Sequence, residues 1–90
     1  MVPFKVRGAT IIVMAAHGEY ARVTLQDDFT VSVKITGTAG GIEGFFLEKK
    51  VKDLTIKLAQ YAKGHKDQYP KPEQLVLAFL KHMRYAVTGR

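Results

Sequence analysis

Up to Gly37, apolar and polar residues alternate; beyond Gly44, apolar residues recur at intervals of three and four. Alternation is the mark of a strand with one face buried, and the longer interval is that of a helix with one buried stripe. The segment Thr38-Ala39-Gly40-Gly41-Ile42-Glu43-Gly44 separates the two regimes. The pattern predicts an α+β domain: an N-terminal antiparallel β-meander followed by two amphipathic helices packed on the sheet.

Strands are expected over residues 9–16, 20–26 and 30–36, with residues 3–7 adding a short fourth strand through a turn at Gly8-Ala9. His17-Gly18 suits a two-residue hairpin loop, because glycine is free at positive φ. That loop pairs Ala16 with Glu19, Met14 with Ala21, Ile12 with Val23 and Thr10 with Leu25. A three-residue loop at Asp27-Asp28-Phe29 pairs Leu25 with Val31, Val23 with Val33 and Ala21 with Ile35. A two-residue loop there would mix polar and apolar side chains on both faces, since one register step turns every side chain over. One face then carries Ile12, Met14, Ala21, Val23, Leu25, Val31, Val33 and Ile35. The second face holds Arg22, Thr24, Ser32, Lys34 and Thr36, with Phe4, Val6, Ile11, Val13 and Ala15 as its apolar half.

The first helix is expected from near Phe46 to a stop at Gly64, with Leu47, Val51, Leu54, Leu58, Tyr61 and Ala62 on one stripe. Pro72 suits the first turn of a second helix, and Glu73 complements its positive end. Leu75, Val76, Phe79, Leu80, Met83, Ala86 and Val87 span a wide arc, and Leu77 lies beyond it. So wide an apolar arc on the last helix of a 90-residue domain with a modest core predicts a homodimer. Gly89-Arg90 is expected to fray.

Charge sharpens this picture. Residues 1–47 hold four basic and four acidic side chains, whereas residues 48–90 hold ten and four, so the whole net charge of +6 falls in the helical half. A basic surplus favours polyanionic partners, nucleic acid first and acidic proteins second. Its simpler reading is solubility. The chain has no cysteine, which excludes disulfides and thiolate metal sites and fits a reducing compartment. The apolar run Ala9–Ala16 is followed by His17-Gly18-Glu19-Tyr20 rather than by a cleavage site, and no stretch reaches transmembrane length. The expectation is a cytoplasmic protein without a membrane partner.

Three clusters could carry function. On the first helix, Lys49, Lys52 and Lys63 lie opposite the core stripe, with Lys50 and Lys57 on one flank and Ile56 among them. Lysines on one face would neutralise phosphates, and Ile56 would touch a sugar, a base or a partner groove. The same pattern also suits any wet helix face. On the sheet, Arg22 and Lys34 are directly opposed, an unfavourable pairing that a phosphate or a carboxylate such as Glu19 would relieve. Nearby hydroxyls and Tyr20 would give a ribbon able to enter a major groove. The Gly37–Gly44 loop lacks a Gly-Lys-Ser/Thr ending and reads as a flexible crossing rather than a phosphate cradle. Tyr85, on the polar side of its helix, is a candidate for stacking on bases.

Catalysis has little support. His17, His65 and His82 share no metal-ligand spacing, Asp27-Asp28 reads as a turn, and no nucleophile has a neighbouring base. No cofactor is implied. The sequence therefore predicts a small non-enzymatic nucleic-acid-binding protein that holds phosphates through Arg22, Lys34, Lys49, Lys50, Lys52, Lys57 and Lys63. The alternative is a protein-interaction module docking on an acidic or apolar surface, with Ile11, Val13, Ile56 and Leu77 as partner or dimer contacts.

Overall fold

The computed structural model describes residues 4–87. Pro3, expected in the first strand, and the expected fray at Gly89-Arg90 lie outside the described residues. Four strands, β1 (Phe4–Arg7), β2 (Thr10–Ala15), β3 (Gly18–Leu25) and β4 (Val31–Ile35), form an antiparallel sheet in the order β1-β2-β3-β4. Two helices follow, α1 (Gly41–His65) and α2 (Pro72–Met83), joined by a short 3-10 turn at Lys66–Gln68. Both pack on the same face of the sheet. Phe4, Val6, Ile11, Val13, Ala21, Val23 and Leu25 from the strands join Leu47, Val51, Leu54, Leu58, Ala62, Leu75, Val76, Phe79 and Leu80 from the helices in one buried cluster. This is the expected α+β arrangement.

Two of the three hairpin registers follow from alternation alone. Phe4 pairs with Val13 and Val6 with Ile11 across the turn at Gly8, where φ is 60°. Leu25 faces Val31, Val23 faces Val33 and Ala21 faces Ile35 across the three-residue loop. Asp28 closes that loop by accepting from the Thr30 amide at 3.0 Å and the Thr30 hydroxyl at 2.6 Å.

The middle hairpin differs from expectation. Its loop is Ala16-His17, with Ala15 opposite Gly18, and a bulge at Tyr20 restores Val13 to Ala21 and Ile11 to Val23. The bulge leaves one residue of β3 without an opposite number. Relative to the expected pairing, β2 is turned over. Ile11 and Val13 face the helices and are fully buried, and Ile12 stands on the outer face. The physical reason is the demand of β1. Phe4 and Val6 share a face with Ile11 and Val13, so only this register puts all four beside Ala21 and Val23 in a single core. Ile11 and Val13 are consequently core residues, not partner contacts.

The helix boundaries also shift. α1 starts at Gly41, not near Phe46, so half of the glycine-rich segment is helical. Glu43 in its first turn accepts from the Ala16 amide at 2.9 Å and ties the helix start to the β2–β3 turn. α1 also passes through Gly64. The His65 ring stacks on Tyr61 at 3.9 Å, its Nδ1 lies 2.9 Å from the Tyr61 carbonyl, and the Lys66 amide donates to the Ala62 carbonyl. These contacts outweigh the roughly 1 kcal/mol that glycine costs in a helix. At 25 residues α1 is about 37 Å long, nearly the whole 40 Å long axis of the molecule.

Pro72 opens α2 as expected, but the helix ends at Met83, with Arg84 in the left-handed conformation at φ 58°. Ala86 and Val87 are therefore not helical. They return to the edge of β1, where the Phe4 amide donates to the Ala86 carbonyl at 3.3 Å and Phe4 bridges Val87. Among the described residues, no helix is long and apolar enough to cross a membrane.

Candidate functional site

The helices cover one face of the sheet, and no described element covers the other. The pairings build that open face row by row. Lys5, Ile12, Arg22 and Lys34 stand directly opposite one another across all four strands. The next row is Arg7, Thr10, Thr24 and Ser32. With neighbouring strands about 4.8 Å apart, each row is about 14 Å wide. The four basic residues of the first half of the chain, Lys5, Arg7, Arg22 and Lys34, thus all project from one face. Ile12 is buried although it lies on this face. It stands between Lys5 and Arg22, where long aliphatic stems can cover it while their charges stay in water.

The opposition of Arg22 and Lys34 is relieved from within. Arg22 donates through Nε to Glu19 Oε2 at 2.7 Å and through Nη2 to Oε1 at 3.0 Å, a two-point fork. The Thr36 hydroxyl donates to Glu19 Oε2 at 2.5 Å. These bonds, that of Arg22 foremost, hold the Glu19 carboxyl well below its usual range, at about 2, with Arg7 contributing through space. The same pair pushes Arg22 upward. Thr10 and Thr24 join hydroxyls at 2.9 Å. Lys5, Arg7 and Lys34 make no ion pair among the described residues, so three cations and a row of hydroxyls face solvent together.

The lysines of α1 are placed otherwise. Lys52 pairs with Glu48 at 3.7 Å and Lys57 with Asp53 at 3.1 Å. The Asp53 carboxylate raises the Lys57 ammonium. Lys50 lies over the Tyr85 ring at 5.6 Å and Lys49 over the Phe45 ring at 4.6 Å. Lys63 is exposed at the far end. Ile42, Phe45 and Phe46, in the first turns of the helix, and Ile56, among the lysines, are each more than half exposed. This helix face points away from the sheet, so the two cationic surfaces lie on opposite sides of the molecule.

Of the residues expected to bind, Arg22 and Lys34 are brought together on the sheet. Lys49, Lys50, Lys52, Lys57 and Lys63 are on α1, and Ile56 is exposed among them. Leu77 is at the surface of α2 beside Val6, Tyr85 and Val87. Tyr85 is not an open stacking ring. It packs on Phe4 at 5.1 Å and Phe79 at 5.9 Å, and burial raises its phenol. Sequence reasoning missed Lys5 and Arg7, although they alternate with Phe4 and Val6 and so had to share a face opposite the core. Among the described residues, no group of three His, Asp or Glu side chains is arranged to hold a metal ion. Comparison with protein-family models, with curated proteins and with solved structures gives no match.

Proposed function

We propose that the protein binds nucleic acid without catalysing a reaction, and that the open sheet face is where it does so. The observation that carries this reading is the gathering of Lys5, Arg7, Arg22 and Lys34 on one uncovered face, three of them without an internal counter-ion. Charges held on paired strands keep fixed spacings, and a duplex presents phosphates every ~3.4 Å along each strand. The hydroxyls of Thr10, Thr24 and Ser32 add donors for phosphate oxygens. The face has no exposed ring to stack bases, so recognition is of backbone charge, with little sequence preference.

Binding should then fall steeply with salt. Three phosphate contacts, from Lys5, Arg7 and Lys34, give a slope of log affinity against log salt of about −3 for duplex DNA. An electrophoretic or anisotropy series over single- and double-stranded DNA and RNA measures it. Arg7→Ala should flatten the slope by about one unit. Binding that is undetectable at low salt, or insensitive to salt, overturns the reading.

A second reading has its own observation. Ile42, Phe45, Phe46 and Ile56 are large apolar side chains exposed on a basic helix, a surface suited to a protein partner with acidic and apolar patches. A partner retained after nuclease treatment and lost with Phe45→Asp/Ile56→Asp supports it.

A further inference from the structure

The two edges of the sheet are unequal. The edge of β1 is met by the chain after α2, through the Phe4–Ala86 hydrogen bond and the Phe4–Val87 bridge. No described element lies along the outer edge of β4. The Gln26 amide donates to the Thr30 carbonyl at 2.8 Å and the Thr36 amide to the Tyr20 carbonyl at 2.9 Å. In an antiparallel ladder such bonding alternates, so Thr30, Ser32, Lys34 and Thr36 bond to β3. The amides and carbonyls of Val31, Val33 and Ile35 therefore point outward. Sheet edges are usually blunted by proline, a bulge, an inward-pointing charge, a short strand or a lysine. β4, five residues long, has no proline, bulge or inward charge, and its one lysine, Lys34, stands on the open face away from the helices. Its helix-side residues are aliphatic instead, and Val33 and Ile35 are 42% and 54% exposed.

We propose that β4 is a homodimerisation edge, pairing antiparallel with β4 of a second copy about a two-fold axis at Val33. The strand Val31-Ser32-Val33-Lys34-Ile35 is complementary to itself only in that register. It sets Val31 against Ile35, Ser32 against Lys34 and Val33 against its own copy. Every outward amide and carbonyl of the strand then finds a partner, apolar side chains meet on the helix side, and Lys34 meets a hydroxyl. An axis at Lys34 would oppose two ammonium groups. An axis at Ser32 would set Ile35 against Phe29, whose φ of 66° cannot continue a ladder. A five-residue strand pair is a small interface, below the ~1,200 Å² of stable complexes, so association depends on concentration. This inference does not rest on nucleic-acid binding and is tested with the protein alone.

Sedimentation equilibrium from low micromolar to millimolar concentration should show the mass climbing from 10.0 kDa toward twice that value. Val33→Glu places two carboxylates together at the axis and should abolish the climb, while its circular dichroism stays that of the parent. Because the chain has no cysteine, Val33→Cys reports the register directly. Opposed residues of a bonded pair lie ~5.5 Å apart at Cα, within disulfide reach. Mild oxidation should link the Val33→Cys variant into a dimer much faster than Ile56→Cys, on the outer face of α1. A monomer at millimolar concentration overturns the proposal. So does a dimer that survives Val33→Glu, or cross-linking of Val33→Cys no faster than that of Ile56→Cys.

Discussion

Glu19 is the residue on which the open face turns. It neutralises Arg22, and it is the carboxylate most displaced from its ordinary value, from 4.5 to about 2. A carboxylate with a lowered pKa in the folded state stabilises that state above its unfolded pKa. The contribution disappears as pH falls through the folded value. Wild type should therefore unfold at a higher temperature than Glu19→Gln at neutral pH. The gap should stay constant down to about pH 5 and close as pH approaches 2. Calorimetry across that range checks it, and a gap that persists at pH 2 would point to shape rather than charge. The same substitution frees Arg22. It should raise affinity for nucleic acid and steepen the salt slope by about one unit. A protein weakened in folding but strengthened in binding would mark Glu19 as an internal stand-in for phosphate.

At the scale of elements, two glycines separate what the chain requires from what it tolerates. A Cβ on Gly37 would run into the Glu19 carbonyl, whereas nothing lies within 4 Å of the position it would take on Gly64. Gly37→Ala forces β3 and the end of β4 apart and should cost about 1–3 kcal/mol, as overpacking does. Gly64→Ala should stabilise by about 0.5–1 kcal/mol, because the position is helical and open. Thermal unfolding of both variants should move in opposite directions; a lower midpoint for Gly64→Ala would mean that the helix there depends on glycine. Gly64 also shows where sequence reading stops short. Glycine after a basic turn resembles a helix end; the stack of His65 on Tyr61 that accompanies α1 past it is an i,i+4 pair of the same helix, with Tyr61 itself set against Phe79 of α2, and a reading that stops at Gly64 overlooks it. The β2–β3 register was hidden for a different reason. Ile11, Ile12, Val13 and Met14 form an unbroken apolar run, so alternation cannot say which pair faces inward. β1 decides it, and Tyr20 absorbs the extra residue. The first and last hairpins had interrupted patterns, and those registers were legible.

At the scale of the molecule, the basic surplus of the helical half and the basic face of the sheet half are separate things. Summed along the chain, the first 47 residues are neutral, yet folding sends their cations to one face and leaves Asp27 and Asp28 in a turn and Glu43 at the start of α1. A charge count could not show this, because position on a strand rather than number sets the local field. The location of charge can be tested against its total. Lys5→Glu/Arg7→Glu and Lys49→Glu/Lys52→Glu each lower the net charge by four, from +6 to +2. Long-range attraction to a polyanion is therefore reduced equally. If phosphates sit on the sheet, the first pair should lose both affinity and about two units of salt slope. The second pair should lose affinity only by weaker steering, which screening reduces within a Debye length of ~8 Å at physiological salt. Anisotropy titrations of the two variants at low and physiological salt separate these outcomes. Equal losses would mean that binding follows net charge alone, and a larger loss from the α1 pair would move the interface to the helix, where Phe45 and Ile56 would then join it.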